Sequence, residues 1–332
     1  MAYTTIDDPE AYFQVKLYTG NGGSQSITFD GDTAMQADMI YIKERDVAHS
    51  SSIIDSVRGV RKTLTSDENA AVITESNGLS AFDSDGLTFD GAGGNHVNDS
   101  SQATVAWCWK ESATSGFDIA TFTGNGAAQN ISHSLSAAPK MVITKSRSTT
   151  GAWYTYHAGV ASDAETDYMV LDTTAAAGDA STVWNDTAPT SSVFTVGSGF
   201  DDGTTYVAYC FAPIGGYSKF SSYIGNGNAS GPMIVTGFRP AYVLIKRKDS
   251  TGDWYIFDNK LIPRNTITQY LTANKNEAVK NAVAAYYIDF TSSGFKLRGT
   301  GSETNASGGT YIYAAFAEAP FVNSNGVPCN AR

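Results

Sequence analysis

The chain has 332 residues, 17% charged and 42% hydrophobic, and its 33 acids against 22 bases leave a net charge of −11. That apolar content excludes a disordered tail, and the acidic balance, with no Lys/Arg run longer than Lys246–Lys248, leaves no basic face for nucleic acid. No apolar run approaches the roughly 20 residues that a membrane-spanning helix requires, so no membrane insertion is expected.

Only 10 leucines stand against 32 Gly, 18 Tyr and 16 Phe, with abundant Ser, Thr and Asn. Such a mix disfavours helical bundles and favours short strands joined by polar turns. Residues 1–16 read as a leader. Its polar, acidic start has no apolar h-region and so no Sec-type signal. Within it, Tyr3, Ile6, Pro9, Tyr12 and Phe13 are expected to form an arm that docks on a neighbouring protein.

Beyond the leader one pattern occurs three times, about 100 residues apart. An aromatic residue and a Gly-Asn-Gly turn stand at Tyr18–Gly22, Phe122–Gly126 and Tyr223–Gly227. An apolar run ending in cations follows: Met39–Arg45, Met141–Arg147 and Tyr242–Lys248. The second and third copies then carry Trp153–Tyr156 and Trp254–Phe257. Each copy closes with two strands: Gly86–Phe89 and Val105–Trp109, Val193–Val196 and Val207–Phe211, Gly294–Leu297 and Tyr311–Phe316. A period this long marks a domain array rather than a solenoid. Short strands between Gly/Asn/Asp/Ser turns predict an all-β chain of three tandem antiparallel β-sandwich modules. The expected boundaries are 17–110, 117–213 and 220–321, with a tail at 322–332. Asp67–Ala71 and Asn276–Ala284, where the copies diverge most, are the best helix candidates.

Little in the chain points to catalysis. His49, His96, His133 and His157 do not recur between copies and lack metal-motif spacing, so they read as solvated surface residues. The acids Asp83, Asp85 and Asp90 read as an Asx turn rather than a calcium loop. Three cysteines without a CxxC pair make neither a zinc module nor a disulfide framework, and Cys108 and Cys210, at one repeat position, read as buried. No catalytic residue, metal or cofactor is expected. Trp153, Trp254, Trp107 and Trp109 read as core anchors. The recurring cations Lys43, Arg45, Lys145, Arg147, Lys246 and Arg247 read as salt-bridge partners within or between units. Trp184, with Asn185 and Asp186, lies outside the repeated landmarks. It reads as a plug over a sandwich end, with stacking on a sugar ring as the alternative.

The segments Leu17–Gly22, Ser26–Gly31, Asp55–Val60, Tyr206–Phe211, Gly216–Phe220 and Gly309–Glu318 resemble a family from tailed bacteriophages, especially marine and cyanobacterial ones. Its members carry tandem β-sandwich modules and are described as tail-fibre-like or virion structural proteins. The resemblance implies jelly-roll or lectin-like modules in a non-enzymatic protein, assembled in the host cytoplasm and carried on the virion. It implies other virion proteins as partners and carries no catalytic or ligand residue over. A homotrimer is expected, and contact with host-surface glycan is inferred by analogy with lectin-type sandwiches alone, with Trp184, Asn185 and Asp186 as its candidates. A capsid decoration or cement protein without ligand is one alternative, and a polysaccharide-degrading enzyme another.

Overall fold

The structure, a computed structural model, describes residues 3–281 and 283–330. One strand order recurs three times. In the first unit the closing strand Ala103–Trp109 lies between the opening strand Phe13–Thr19 and the third strand Met39–Glu44, and Ser52–Asp55 follows as the fourth. The second unit repeats this order with Phe117–Thr123, Thr205–Phe211, Met141–Ser146 and Tyr154–His157. The third does so with Ser218–Ile224, Thr310–Pro320, Phe238–Arg247 and Trp254–Asp258. Each long sheet continues into a short hairpin: Lys62–Thr63 with Ile73–Thr74, Asp167–Val170 with Gly178–Asp179, and Gln269–Thr272 with Lys280–Asn281. A smaller sheet accompanies each, pairing Ser24–Thr28 with Gly86–Asp90, Gln129–Ser132 with Val193–Val196, and Met233–Val235 with Gly294–Leu297. The fold is all-β and sandwich-like.

Alternation along the third strand explains its unbroken apolar run. In the first unit Ile40 and Ile42 face inward with Ala106, Cys108, Leu87 and Phe89, filling the space between the two sheets. Met39 and Tyr41 face the other way. There they join Trp107, Trp109, Met141, Phe211, Tyr242 and Phe316 in a cluster drawn from all three units. The first unit therefore keeps an inner core of its own, while the units also meet at a common centre. An apolar cavity of about 50 Å³ lies there, lined among others by Tyr41, Met141 and Phe316.

The fusion is cyclic. The tip of each short hairpin lies on the next unit, where Val72 N–H donates to the Arg147 carbonyl at 3.0 Å and Ala177 N–H to that of Lys248 at 2.9 Å. Val279 N–H in the third unit returns to the Arg45 carbonyl in the first, at 2.8 Å. Three units thus close a ring within one chain. Residues 67–71, expected to be helical, form the loop of the first hairpin and carry no helix. Within 276–284 the described residues hold the strand Lys280–Asn281, and Ala284 opens a single 3₁₀ turn; Ala282 lies outside the described residues. These divergent segments are seams, and each is tailored to a different neighbour.

The Gly-Asn-Gly turns dock on the loop before the closing strand. Gly22, Gly126 and Gly227 adopt φ of 72°, 67° and 65° and donate N–H to the carbonyls of Asn98, Phe200 and Asn305. The first glycine of each turn has another reason. A Cβ on Gly20, Gly124 or Gly225 would stand 2.2, 2.4 or 2.3 Å from a backbone oxygen of that loop.

Candidate functional site

The seams hold most of the buried polar chemistry. Lys43, Lys145 and Lys246 are fully buried. Each ammonium donates to a carbonyl six residues on in its own unit and to one on the neighbouring hairpin. For Lys145 these are Gly151 at 2.9 Å and Asn69 at 2.8 Å; for Lys246, Gly252 at 2.8 Å and Thr174 at 3.1 Å. Lys43 reaches His49 and Lys275, both at 2.9 Å. Burial pushes each ammonium down to about 8. The expected salt bridges are absent here: the three lysines serve carbonyls. Among the described residues Arg247 is the one of the six cations that fits that expectation, 2.7 Å from Asp249.

Two seams are also pinned by tryptophan. Trp153 Nε1 donates to the Thr65 and Glu68 carbonyls, at 2.9 and 3.0 Å, and Trp254 Nε1 to that of Val170, at 3.1 Å. Their main-chain N–H groups are held by Asp172 and Asn274. In the first unit Asp67 holds the N–H of Ser51 in the same way, so a serine stands where the others have tryptophan. Tyr41 and Ser66 fill that gap, both reaching the Ala273 carbonyl, Ser66 at 2.5 Å.

The glycan candidates are divided. Trp184 is 2% exposed, ringed by Tyr156 and Phe200, with centroids 6.0 and 6.2 Å away. Its faces are covered, which is the plug geometry and leaves no sugar platform. Asn185 and Asp186 are exposed just beyond it, at φ of 52° and 46°. The leader is not a free arm. Ile6 and Phe13 are buried, and Phe13 packs on Trp109 and Phe316 from within the opening strand. Half-buried Tyr12 packs on Tyr217, Thr4 bonds to the Gly215 carbonyl, and the Tyr3 hydroxyl donates to that of Gly237. Of the five docking candidates Tyr3 is the exposed one, edge-on to Phe321.

The histidines depart most from expectation. His157 is buried, donating from Nε2 to the Tyr313 carbonyl at 3.0 Å while its Nδ1 accepts from Gly159 N–H. Burial pushes it down to about 4. His49 and His96, 47 residues apart in sequence, stack at 3.5 Å with 18° between ring planes. His49 Nδ1 lies 2.6 Å from Glu44 Oε2, and His96 Nδ1 lies 2.6 Å from Asp99 Oδ2. Glu44 ends the third strand of the first unit and is buried, which pushes its carboxyl up. Non-recurrence, taken as a sign of idle surface, was the available signal: both histidine–acid pairs belong to the first unit alone. Among the described residues this is the cluster whose donor set suits a metal ion.

A three-unit all-β body closed by buried seams is the class these features define. The chain belongs to a family described as a domain of unknown function, DUF7483, whose model matches residues 8–320. The family unit therefore spans the whole ring rather than one repeat. No curated protein and no solved structure matches the chain.

Proposed function

We propose that the protein is a structural component of a tailed-phage virion, acting through its surfaces and docked to other virion proteins. The observation that carries this reading is the closed ring. Three units meet at one apolar centre, their seams are filled by buried hydrogen bonds, and the central cavity of about 50 Å³ is too small for a metabolite. Such a body resists deformation and offers exterior rather than interior chemistry. The resemblance of its repeated motifs to virion proteins points the same way.

The docking surface favoured here is where the chain's two ends meet on the third unit. Ser324 N–H donates to Asp7 at 2.7 Å, and Tyr3, Phe321 and Val327 expose apolar side chains beside this junction. Burial of Trp184 weighs against sugar stacking and moves the reading toward a head or tail building block. Gold-labelled antibody against the chain, applied to purified virions and viewed by electron microscopy, tests this. Label on capsid or tail is the expected result. Virions without label, with the protein free in the lysate, would reject it.

A further inference from the structure

We propose that Glu44, His49, His96 and Asp99 bind one divalent transition-metal ion of the zinc class. Each side chain offers one ligand atom, and the four atoms lie within 4.8 Å of one another. A tetrahedral zinc with bonds of about 2.0–2.1 Å holds its ligand atoms roughly 3.4 Å apart. Closure therefore takes side-chain rotations of about an ångström, in residues of which three sit on loops. Two imidazoles with two carboxylates suit zinc, cobalt or nickel better than calcium or magnesium, which prefer all-oxygen shells.

Glu44 supplies the second, independent observation. It is 1% exposed, and its Oε1 is buried without a hydrogen-bond partner while Oε2 meets His49. A buried carboxylate oxygen left bare is costly and calls for a cation. Protonating both histidines is a poor substitute, because two like charges would face each other across the 3.5 Å stack. One dication balances both carboxylates and leaves both rings neutral. The arrangement is particular to the first unit: Ser146 and Arg247 stand in the place of Glu44 and are engaged with Thr149 and Asp249.

The site also touches the seam between the third and first units. The His49 carbonyl accepts from Lys43, whose ammonium also holds the Lys275 carbonyl of the third unit. That is the seam where Ser51 replaces tryptophan. A metal held by His49 fixes the loop that seats Lys43, and so resists ring opening between third and first units.

The test uses the full-length protein, stripped with chelator and dialysed, titrated with Co²⁺ and then back-titrated with Zn²⁺. Expected are one equivalent of cobalt with tetrahedral visible bands, displacement by zinc, and a zinc-dependent rise in Tm. His49→Ala and His96→Ala should each weaken zinc binding by at least about tenfold, whereas His133→Ala, far from the cluster, should not. Their metal-free Tm checks the fold, and His96→Gln, which keeps a hydrogen-bonding group near Asp99, replaces any variant that fails to fold. No binding at about 100 μM zinc, or binding that survives the His49 and His96 substitutions, overturns the proposal.

Discussion

At the end of the fourth strand the three units carry Asp55, His157 and Asp258, opposite Met39, Met141 and Tyr242 in register. Each meets the closing strand of the next unit, and what stands there decides its identity. Asp55 accepts from the Tyr209 hydroxyl at 2.7 Å and Asp258 from Trp107 Nε1 at 3.1 Å. The equivalent of Trp107 and Tyr209 in the third unit is Ala314, paired with Leu244 as they pair with Tyr41 and Ile143. Alanine offers no side-chain donor, so the second unit uses a histidine that donates to the main chain. His157 stays neutral in the fold down to about pH 4, with Lys248 nearby opposing its charge, whereas an unfolded histidine takes its proton near 6.5. Between these values the unfolded chain holds more protons, so stability falls as pH drops from 6.5 toward 4. Replacing His157 with Gln should remove about 2 kcal/mol of the loss between pH 7 and 4.5, read from urea midpoints. Parallel losses in both proteins would show that His157 is not the sensitive group.

Turns and hairpins carry the next level of specification. The recurrence of Gly-Asn-Gly was legible as a turn needing positive φ, and that holds for its second glycine. Its first glycine answers a contact with a loop some 80 residues away, which spacing alone does not reveal. The two roles separate by mutation. Gly225→Ala puts a Cβ 2.3 Å from the Ala306 carbonyl oxygen and should cost about 3 kcal/mol or more, as overpacking against rigid backbone does. Gly126→Ala, at φ 67° with its nearest neighbour 3.6 Å away, should cost only about 1–2 kcal/mol. Equal losses in thermal unfolding would contradict that distinction. The seam lysines give a pH signature of opposite range. Folded, they release protons near 8, whereas the unfolded chain holds them to about 10.4. Stability should therefore rise from pH 8 to about 10, before buried tyrosines such as Tyr209, raised by burial, reverse it. A flat profile there would mean that the ammonium groups are solvated.

The repeat, its landmark strands and the buried tryptophans of the whole molecule were readable from residue periodicity, because they depend on local alternation; the order of the strands within each sheet was not. Ring closure was not, since it rests on Val279 meeting Arg45 and Asp258 meeting Trp107 across most of the chain. A shorter separation, 47 residues between His49 and His96, hid the candidate metal centre, whose two histidine–acid pairs become one cluster only when the loop before the closing strand folds beside the end of the third strand. A ring closed around one shared centre also predicts how the molecule comes apart. Linked beads would unfold one at a time, whereas opening any seam here exposes the common centre to water. Scanning calorimetry of the intact chain measures this directly. The closed ring predicts a single transition with matching calorimetric and van't Hoff enthalpies; two or three resolved transitions would contradict it.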